Sequence, residues 1–338
     1  MRPRILVTNW VHREVLEYLQ SFGEVDVNLS RVPWSPEEVL ARAAHSDAML
    51  GFMTDHVDDA FLARCPDLRV ICCALKGADN YDIAACRRRG IAVSIVPDLL
   101  TVPTAELAIG LMITLGRHLL EGDRLIRSAP FSGWRPILYG MGLDGAAVGI
   151  VGMGAVGQAI AHRLRGFRCR LSYADHRPLA PAKEDSLCLL RSDLPRLLRE
   201  SDYLVLALPL SAASYHLIDA DALAQIKPGA LLINPARGSL VDESAVADSL
   251  EHGPLGGYAA DVFETEDWAL PDRPAAIDPR LITHPRTVLT PHLGSAVDTI
   301  RREIAMAAAQ DIRRYFEGQP LQGGLVDPAP AARSAVSA

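Results

Sequence analysis

The chain has 338 residues, 49% apolar and 22% charged, with a formal net charge of −7. At ~150 residues per domain that length argues for about two domains with real cores. The acidic balance offers no basic footprint for nucleic acid or an acidic membrane surface.

Of the 34 basic residues 31 are Arg and three are Lys, namely Lys76, Lys183 and Lys227, so each Lys invites a question. The six Cys form no CxxC pair and read as small buried side chains in a reducing, cytoplasmic setting. No secretory leader is expected, because Ile5-Leu6-Val7 is too short an apolar core and Asn9, His12 and Arg13 follow it. No metal site, P-loop or GxSxG elbow is expected either.

In chain order, short β-branched runs alternate with helical patterns, which argues for an α/β fold with parallel sheets and crossover helices. Strands are predicted at 4–8, 48–53, 69–74 and 91–96, with helices near 12–22, 36–45 and 82–89. A long helical segment, apolar on most sides, is predicted over 104–127. A second alternating block has strands at 147–151, 170–174, 203–208, 230–234, 257–262 and 287–290. Its first strand runs into a glycine-rich turn, the pattern of a doubly wound nucleotide-binding domain. An amphipathic helix over 295–316 closes the pattern. The predicted organisation is a nucleotide-binding Rossmann-like domain, residues 99–293, inserted in a Rossmann-like or flavodoxin-like substrate domain made of residues 1–98 and 294–318. Residues 319–338 are predicted to be a loose Pro/Gly/Ala tail.

Val148 to Gly157 reads as a strand, then GxGxxG, then a helix. Gly152 allows the tight turn, Gly154 lets a pyrophosphate approach, and Gly157 lets the helix pack on the strand. The acid expected ~20 residues on is Asp175, which favours NAD through the adenosine ribose hydroxyls. Arg177 leaves room for some use of NADP. Three further segments end predicted strands: Asn234-Pro235-Ala236-Arg237-Gly238, Asp261-Val262-Phe263-Glu264-Thr265-Glu266, and Thr290-Pro291-His292-Leu293-Gly294-Ser295. Singly each is weak, since a lone His is more often structural. Together they supply an Arg to fix an anion, an imidazole to move a proton near neutral pH, and a carboxylate to orient it.

These motifs, in this order, resemble the D-2-hydroxyacid dehydrogenase family over nearly the whole chain. The resemblance implies two α/β domains, NAD as cofactor, a homodimer, and Arg237, Glu266 and His292 at the catalytic positions. It further implies a cofactor site formed by Lys76, Gly77, Thr104, Ala155, Val156, Leu208, Pro209, Pro235, Ala236, Arg237, Asp261, His292 and Gly294. Longer stretches, at 73–80, 96–106, 133–140 and 266–269, are similar to the phosphonate (phosphite) dehydrogenases of that family, which oxidise phosphite to phosphate with NAD. They imply that Lys76 and Arg237 hold the oxyanion, with Met53, Leu100, Trp134, Tyr139, Trp268, Ser295 and Arg301 around it. The pattern is departed from at Ala78, Tyr81 and Asp175-His176.

Phosphite is largely a dianion with no carbon substituent to bury, so an ammonium beside a guanidinium suits it. A 2-hydroxy acid carries one carboxylate, for which a bidentate Arg suffices. The expected activity is therefore NAD-dependent oxidation of phosphite, with no nucleic acid or membrane partner. The alternatives are a D-2-hydroxyacid dehydrogenase or glyoxylate/hydroxypyruvate reductase, and an NAD-binding corepressor-like protein without turnover.

Overall fold

The computed structural model of the protein describes residues 2–128 and 130–327. The chain divides into two compact units, one holding Met1–Leu100, Trp268–Pro271 and the residues from Ala296 on, the other Thr101–Asp267 and Asp272–Ser295. The junctions fall two residues later than the sequence boundaries at 98/99 and 293/294. Leu99 and Leu100 pack into the first unit's core, and the Gly294 amide is held by Asp261 in the second.

The first unit opens with β1 (Arg4–Val7), α1 (Arg13–Gln20), β2 (Glu24–Val27), α2 (Pro36–Ala43) and β3 (Ala48–Gly51). It continues with α3 (Asp59–Ala63), β4 (Val70–Cys73), α4 (Ile83–Arg88) and β5 (Ala92–Ser94). The second unit holds α5 (Thr101–Gly116), α6 (Leu119–Ser128), β6 (Ala147–Val151), α7 (Ala155–Leu164) and β7 (Arg170–Ala174). It then runs through α8 (Pro181–Leu187), β8 (Leu189–Arg191), α9 (Leu194–Glu200), β9 (Tyr203–Leu206), α10 (Ala220–Ala224) and β10 (Leu231–Asn234). α11 (Glu243–His252), β11 (Gly257–Ala260), α12 (Pro279–Thr283) and β12 (Thr287–Leu289) complete it. The chain returns to the first unit with α13 (Asp298–Phe316) and β13 (Gly324–Val326).

Each unit is an α/β layer structure. The first sheet has the order β13-β5-β4-β3-β1-β2 and the second β12-β11-β10-β9-β6-β7-β8. Every pairing is parallel except β13 on β5. The strands alternate apolar side chains to both faces because helices cover both. In the first sheet Ile5, Leu50 and Cys72 face α1 and α13, while Leu6, Met49 and Ile71 face the residues of α2, α3 and α4. In the second, Val148, Ile150 and Val205 pack with α5 and α7, and Leu204, Leu232 and Tyr258 with α9, α10 and α11. Helix starts are set locally: Ser35, Asp58, Asp82, Asp193, Asp219 and Asp242 each accept an amide from the first turn that they precede.

Three sequence expectations are corrected. The single helix over 104–127 is two helices, broken at His118, which adopts φ 53°. The break follows Gly116, where a side chain would run into the Tyr203 hydroxyl and the Met141 carbonyl. The expected loose tail is ordered up to Asp327: the Asp311 carboxylate holds the Gln322 amide at 2.9 Å and β13 pairs with β5. The rest of that tail, 328–338, lies outside the described residues. Of the six Cys, four are buried as expected, Cys169 is half-buried and Cys188 is exposed at the left-handed end of α8. Among the other Lys, Lys227 is paired with Asp202.

Candidate active site

The carboxyl edge of the second sheet gathers most of the candidate residues. Gly152 follows β6 with φ +93°, and a Cβ there would sit 2.6 Å from the Ala207 carbonyl oxygen. Gly157 is equally constrained, its would-be Cβ 2.2 Å from the Gly152 oxygen, whereas Gly154 faces open space. The tight turn, the close helix and the open approach are thus divided among the three glycines as the motif requires. Gly154 caps α7 with no side-chain hydrogen bond, so the first amides, at Ala155, Val156 and Gly157, are left for an anion. At the end of β7, Asp175 accepts the Met153 amide at 2.6 Å and the Arg177 amide at 2.8 Å. Burial pushes its carboxyl up, but these two amides and the charges of His176 and Arg177 outweigh that, leaving it below the usual range. An ionised Asp at this place fits ribose hydroxyls and repels a 2′-phosphate. The turn and the acid therefore fit a dinucleotide. Leu208 and Pro209 follow β9 at the same edge.

After β10 the chain turns sharply. The Asn234 side chain accepts the Ala236 amide at 3.1 Å and donates to the Arg237 carbonyl at 2.7 Å, which closes the Pro235-Ala236-Arg237 turn. Arg237 is half-buried, and one guanidinium nitrogen donates to the Ala236 carbonyl at 2.8 Å. Gly238 lies so close to the Phe263–Glu264 peptide that a Cβ would stand 1.9 Å from the Phe263 carbonyl carbon. The Arg237 turn and the short 3₁₀ turn Glu264–Glu266 are thereby stacked backbone on backbone.

Glu266 uses one oxygen to accept the Phe263 amide at 2.9 Å and the other to meet His292 Nδ1 at 2.6 Å. His292 has φ 55°, a left-handed conformation that costs a non-glycine residue ~1–3 kcal/mol. Asp261, at the end of β11, holds that conformation. Its carbonyl accepts the His292 amide at 2.8 Å, and its carboxylate accepts the Thr290 hydroxyl and the Leu293 and Gly294 amides at 2.6 to 2.8 Å. Burial pushes the Asp261 carboxyl up, partly offset by these donors. These bonds all serve the loop, so Asp261 acts first as the support of His292. Thr104 donates to the Gly294 carbonyl at 3.4 Å from α5. Ser295 closes the segment, half-buried.

The first unit brings a second group together at the carboxyl ends of β3 and β4. Lys76 and Gly77 follow β4, and Met53 follows β3, its carbonyl accepting from Asn80 at 3.1 Å. Arg301 on α13 reaches the Ala74 carbonyl at 3.5 Å and lies over the Phe52 ring, and burial holds its pKa below the usual arginine value. Leu100 packs on the same core. Trp268, in the short segment Trp268–Pro271, also belongs to this unit. Beneath Met53 lies Asp55, buried, which accepts from Thr8, from the Phe52 amide and from Tyr81 at 2.7, 2.7 and 3.3 Å. Burial pushes its carboxyl up to about 6. The departure at Tyr81 is thus a hydroxyl tied to the strand-end loop.

Trp134 and Tyr139 are not brought to either edge within one chain. They are 81% and 77% exposed. Their segment is anchored at Met141, whose carbonyl accepts from Tyr203 at the amino end of β9. The sequence reading also missed Glu243 and His216, which support the Glu266 turn. Their only signal was Glu264, two residues before Glu266.

Known proteins resemble this chain over nearly its whole length. The family model for the D-isomer specific 2-hydroxyacid dehydrogenase NAD binding domain matches residues 109–294. A glyoxylate reductase of Thermococcus litoralis is 33% identical over 326 residues, covering 94% of this chain and 95% of that one. A glyoxylate reductase of Pyrococcus horikoshii is 34% identical over 324 residues, 94% of each chain. Among solved structures, a protein of Thermus thermophilus superposes with a TM-score of 0.85 at 33% identity, over 96% of this chain and 100% of that one.

Proposed function

The chain belongs to the D-isomer specific 2-hydroxyacid dehydrogenase family, and on that footing we propose that it moves a hydride between NAD and a small oxyanion, with His292 as the proton-transfer group. NAD is the cofactor, and when bound it supplies the nicotinamide carbon that takes or gives the hydride. The observation that carries the proposal is the 2.6 Å contact of Glu266 with His292 Nδ1, which leaves Nε2 to face a substrate. Glu266 fixes the tautomer and stabilises the imidazolium once a proton has arrived. Arg237, one turn away, binds the anion. In reduction of a 2-oxo acid, His292 gives its proton to the oxygen as the carbonyl carbon receives the hydride. In oxidation it removes the hydroxyl proton as the hydride leaves.

The substrate reading that the relatives favour is glyoxylate or a related short 2-oxo acid, since both are named for glyoxylate reduction. A second reading, phosphite, is favoured by two half-buried cations in the same unit, Lys76 after β4 and Arg301 on α13. Two cations in one unit would give a dianion more positive charge than one carboxylate needs. There His292 would take the proton of a water that attacks phosphorus, as the P–H hydride departs. One assay separates the readings: NADH absorbance is followed with NADH plus glyoxylate and with NAD plus phosphite or D-glycerate. Turnover of glyoxylate alone sinks phosphite, turnover of phosphite alone sinks the 2-oxo acid, and silence with all three sinks the hydride-transfer proposal.

The reading includes a homodimer. Leu119, Leu120, Ile126, Phe131, Trp134 and Tyr139 form an exposed apolar run that a second copy would cover. A monomeric mass at micromolar concentration, by light scattering, would overturn this part.

A further inference from the structure

Behind the Glu266 turn lies a second titratable cluster that hydride transfer leaves without a task. Glu243 opens α11, fully buried, and its Oε1 accepts the Glu264 amide at 2.9 Å. The Glu243 amide in turn donates to Glu264 Oε2 at 3.4 Å. Glu264 Oε1 meets His216 Nε2 at 2.5 Å. His216 is fixed by its amide on the Ser239 carbonyl at 2.8 Å, and its ring stacks on Tyr215. Glu243 Oε2 is buried and makes no hydrogen bond of normal geometry among the described residues.

Three stretches of chain meet in this cluster: the loop after β9, the run from the Arg237 turn into α11, and the Glu264–Glu266 turn. The ties converge on the backbone of Glu264, the same peptide against which Gly238 is pressed. Whatever fixes that peptide fixes the spacing of the backbones that carry Arg237 and Glu266. Around Glu243 stand Glu264, Asp278 at the start of α12, and the Tyr258 phenol on β11, with the His216 imidazole beyond Glu264. Two carboxyl groups that share a dry site resist double ionisation. Burial, partly offset by the Glu264 amide, and then the charge of Glu264 push the Glu243 carboxyl up to about 7.

We propose that Glu243, Glu264 and His216 form a latch, closed while Glu243 is protonated, that holds the Arg237 and Glu266 turns in register for hydride transfer. Glu243 and Glu264 are then positioning residues, and the proposal rests on the reading of Glu266 and His292 as the reacting pair's support and base. Ionising Glu243 sets a second buried negative charge beside Glu264. The relief open to it is a shift of the Glu264 peptide, which displaces Glu266 two residues on. A misplacement of ~1 Å can cost ~10²-fold in rate.

The test is the pH profile of kcat in the oxidation direction, in which the latch governs the alkaline limb. The native enzyme, with whichever of phosphite, glycolate and D-glycerate it turns over, should lose kcat above about pH 7. Glu243→Gln, neutral and of the same length, should keep kcat within about twofold below that pH and lose the alkaline fall. Glu243→Ala should lower kcat ~10- to 100-fold while still quenching NADH fluorescence, which reports an intact Gly152 turn. Infrared spectra near neutral pH should show a protonated carboxyl band that Glu243→Gln removes. A native alkaline limb kept in Glu243→Gln, or no such band, overturns the latch while an inactive His292→Ala leaves the parent reading standing. Full activity in His292→Ala overturns the parent reading, and the positioning role with it.

Discussion

At the scale of the residue, His292 carries a conformational cost and, in the proposed reaction, the proton. Its left-handed backbone is held by Asp261 and its ring by Glu266. We predict that His292→Ala lowers kcat at least ~10²-fold, the worth of a positioned base. Stopped-flow or steady-state rates check this, with NADH binding unchanged. Asp175 belongs to the same scale. Asp175→Ala should raise the ratio of kcat/KM for NADP over NAD ~10-fold or more, about 1.4 kcal/mol of discrimination, because its charge is what repels a 2′-phosphate. Arg237, Glu266, His292 and Asp175 were legible because each sits just past a predicted strand, in a short motif. Glu243 and His216 were not, because their partner Glu264 stands 21 and 48 residues away. A contact across that distance depends on β9, β10 and β11 being neighbours in one sheet, which no local pattern states.

At the scale of the element, the stacking of the Arg237 turn on the Glu264–Glu266 turn depends on the absence of one side chain. Gly238→Ala places a carbon 1.9 Å from backbone rather than from a flexible side chain. Overpacking of this kind costs ~1–3 kcal/mol, and we expect the upper end, read as a lower urea midpoint. The central strands were legible because they are apolar on both faces. β2 reads Glu-Val-Asp-Val at a sheet edge, with two polar side chains in four, and β8 and β13 have three residues each. Such edges lack a hydrophobic run, so their strand state comes from pairing. The break between α5 and α6 was hidden for a related reason: the residues on both sides favour helix, and the chain leaves it through one left-handed residue, His118.

At the scale of the molecule, two buried carboxyls set a pH dependence of stability. Burial pushes Asp55 up to about 6 from 3.8 and Glu243 up to about 7 from 4.5. A raised acid binds its proton more tightly when folded, so its contribution is complete below the unfolded value and is lost as pH rises through the folded one. Asp202 works the other way. Burial raises it, but Lys227 and the Ala147 amide more than reverse that, so its contribution is lost as pH falls. We predict that Tm declines from about pH 4.5 to about pH 7, and that Asp55→Asn with Glu243→Gln flattens the decline. A scanning-fluorimetry series across that range checks it. No helix among the described residues is long and apolar enough to cross a membrane.

The return of α13 and β13 to the first sheet has a consequence for synthesis. When Leu100 leaves the ribosome, one face of the sheet around Ile5, Leu50 and Cys72 still lacks Ile304, Ala308 and Ile312. About 200 residues of the second unit must be translated first, which takes ~10–40 s at ~5–20 residues per second. The later-made unit can therefore finish folding before the earlier one, whose exposed apolar face is the chain's hazard for aggregation during that wait. A chain ended after Ser295 should bind NADH while its first hundred residues remain open to protease.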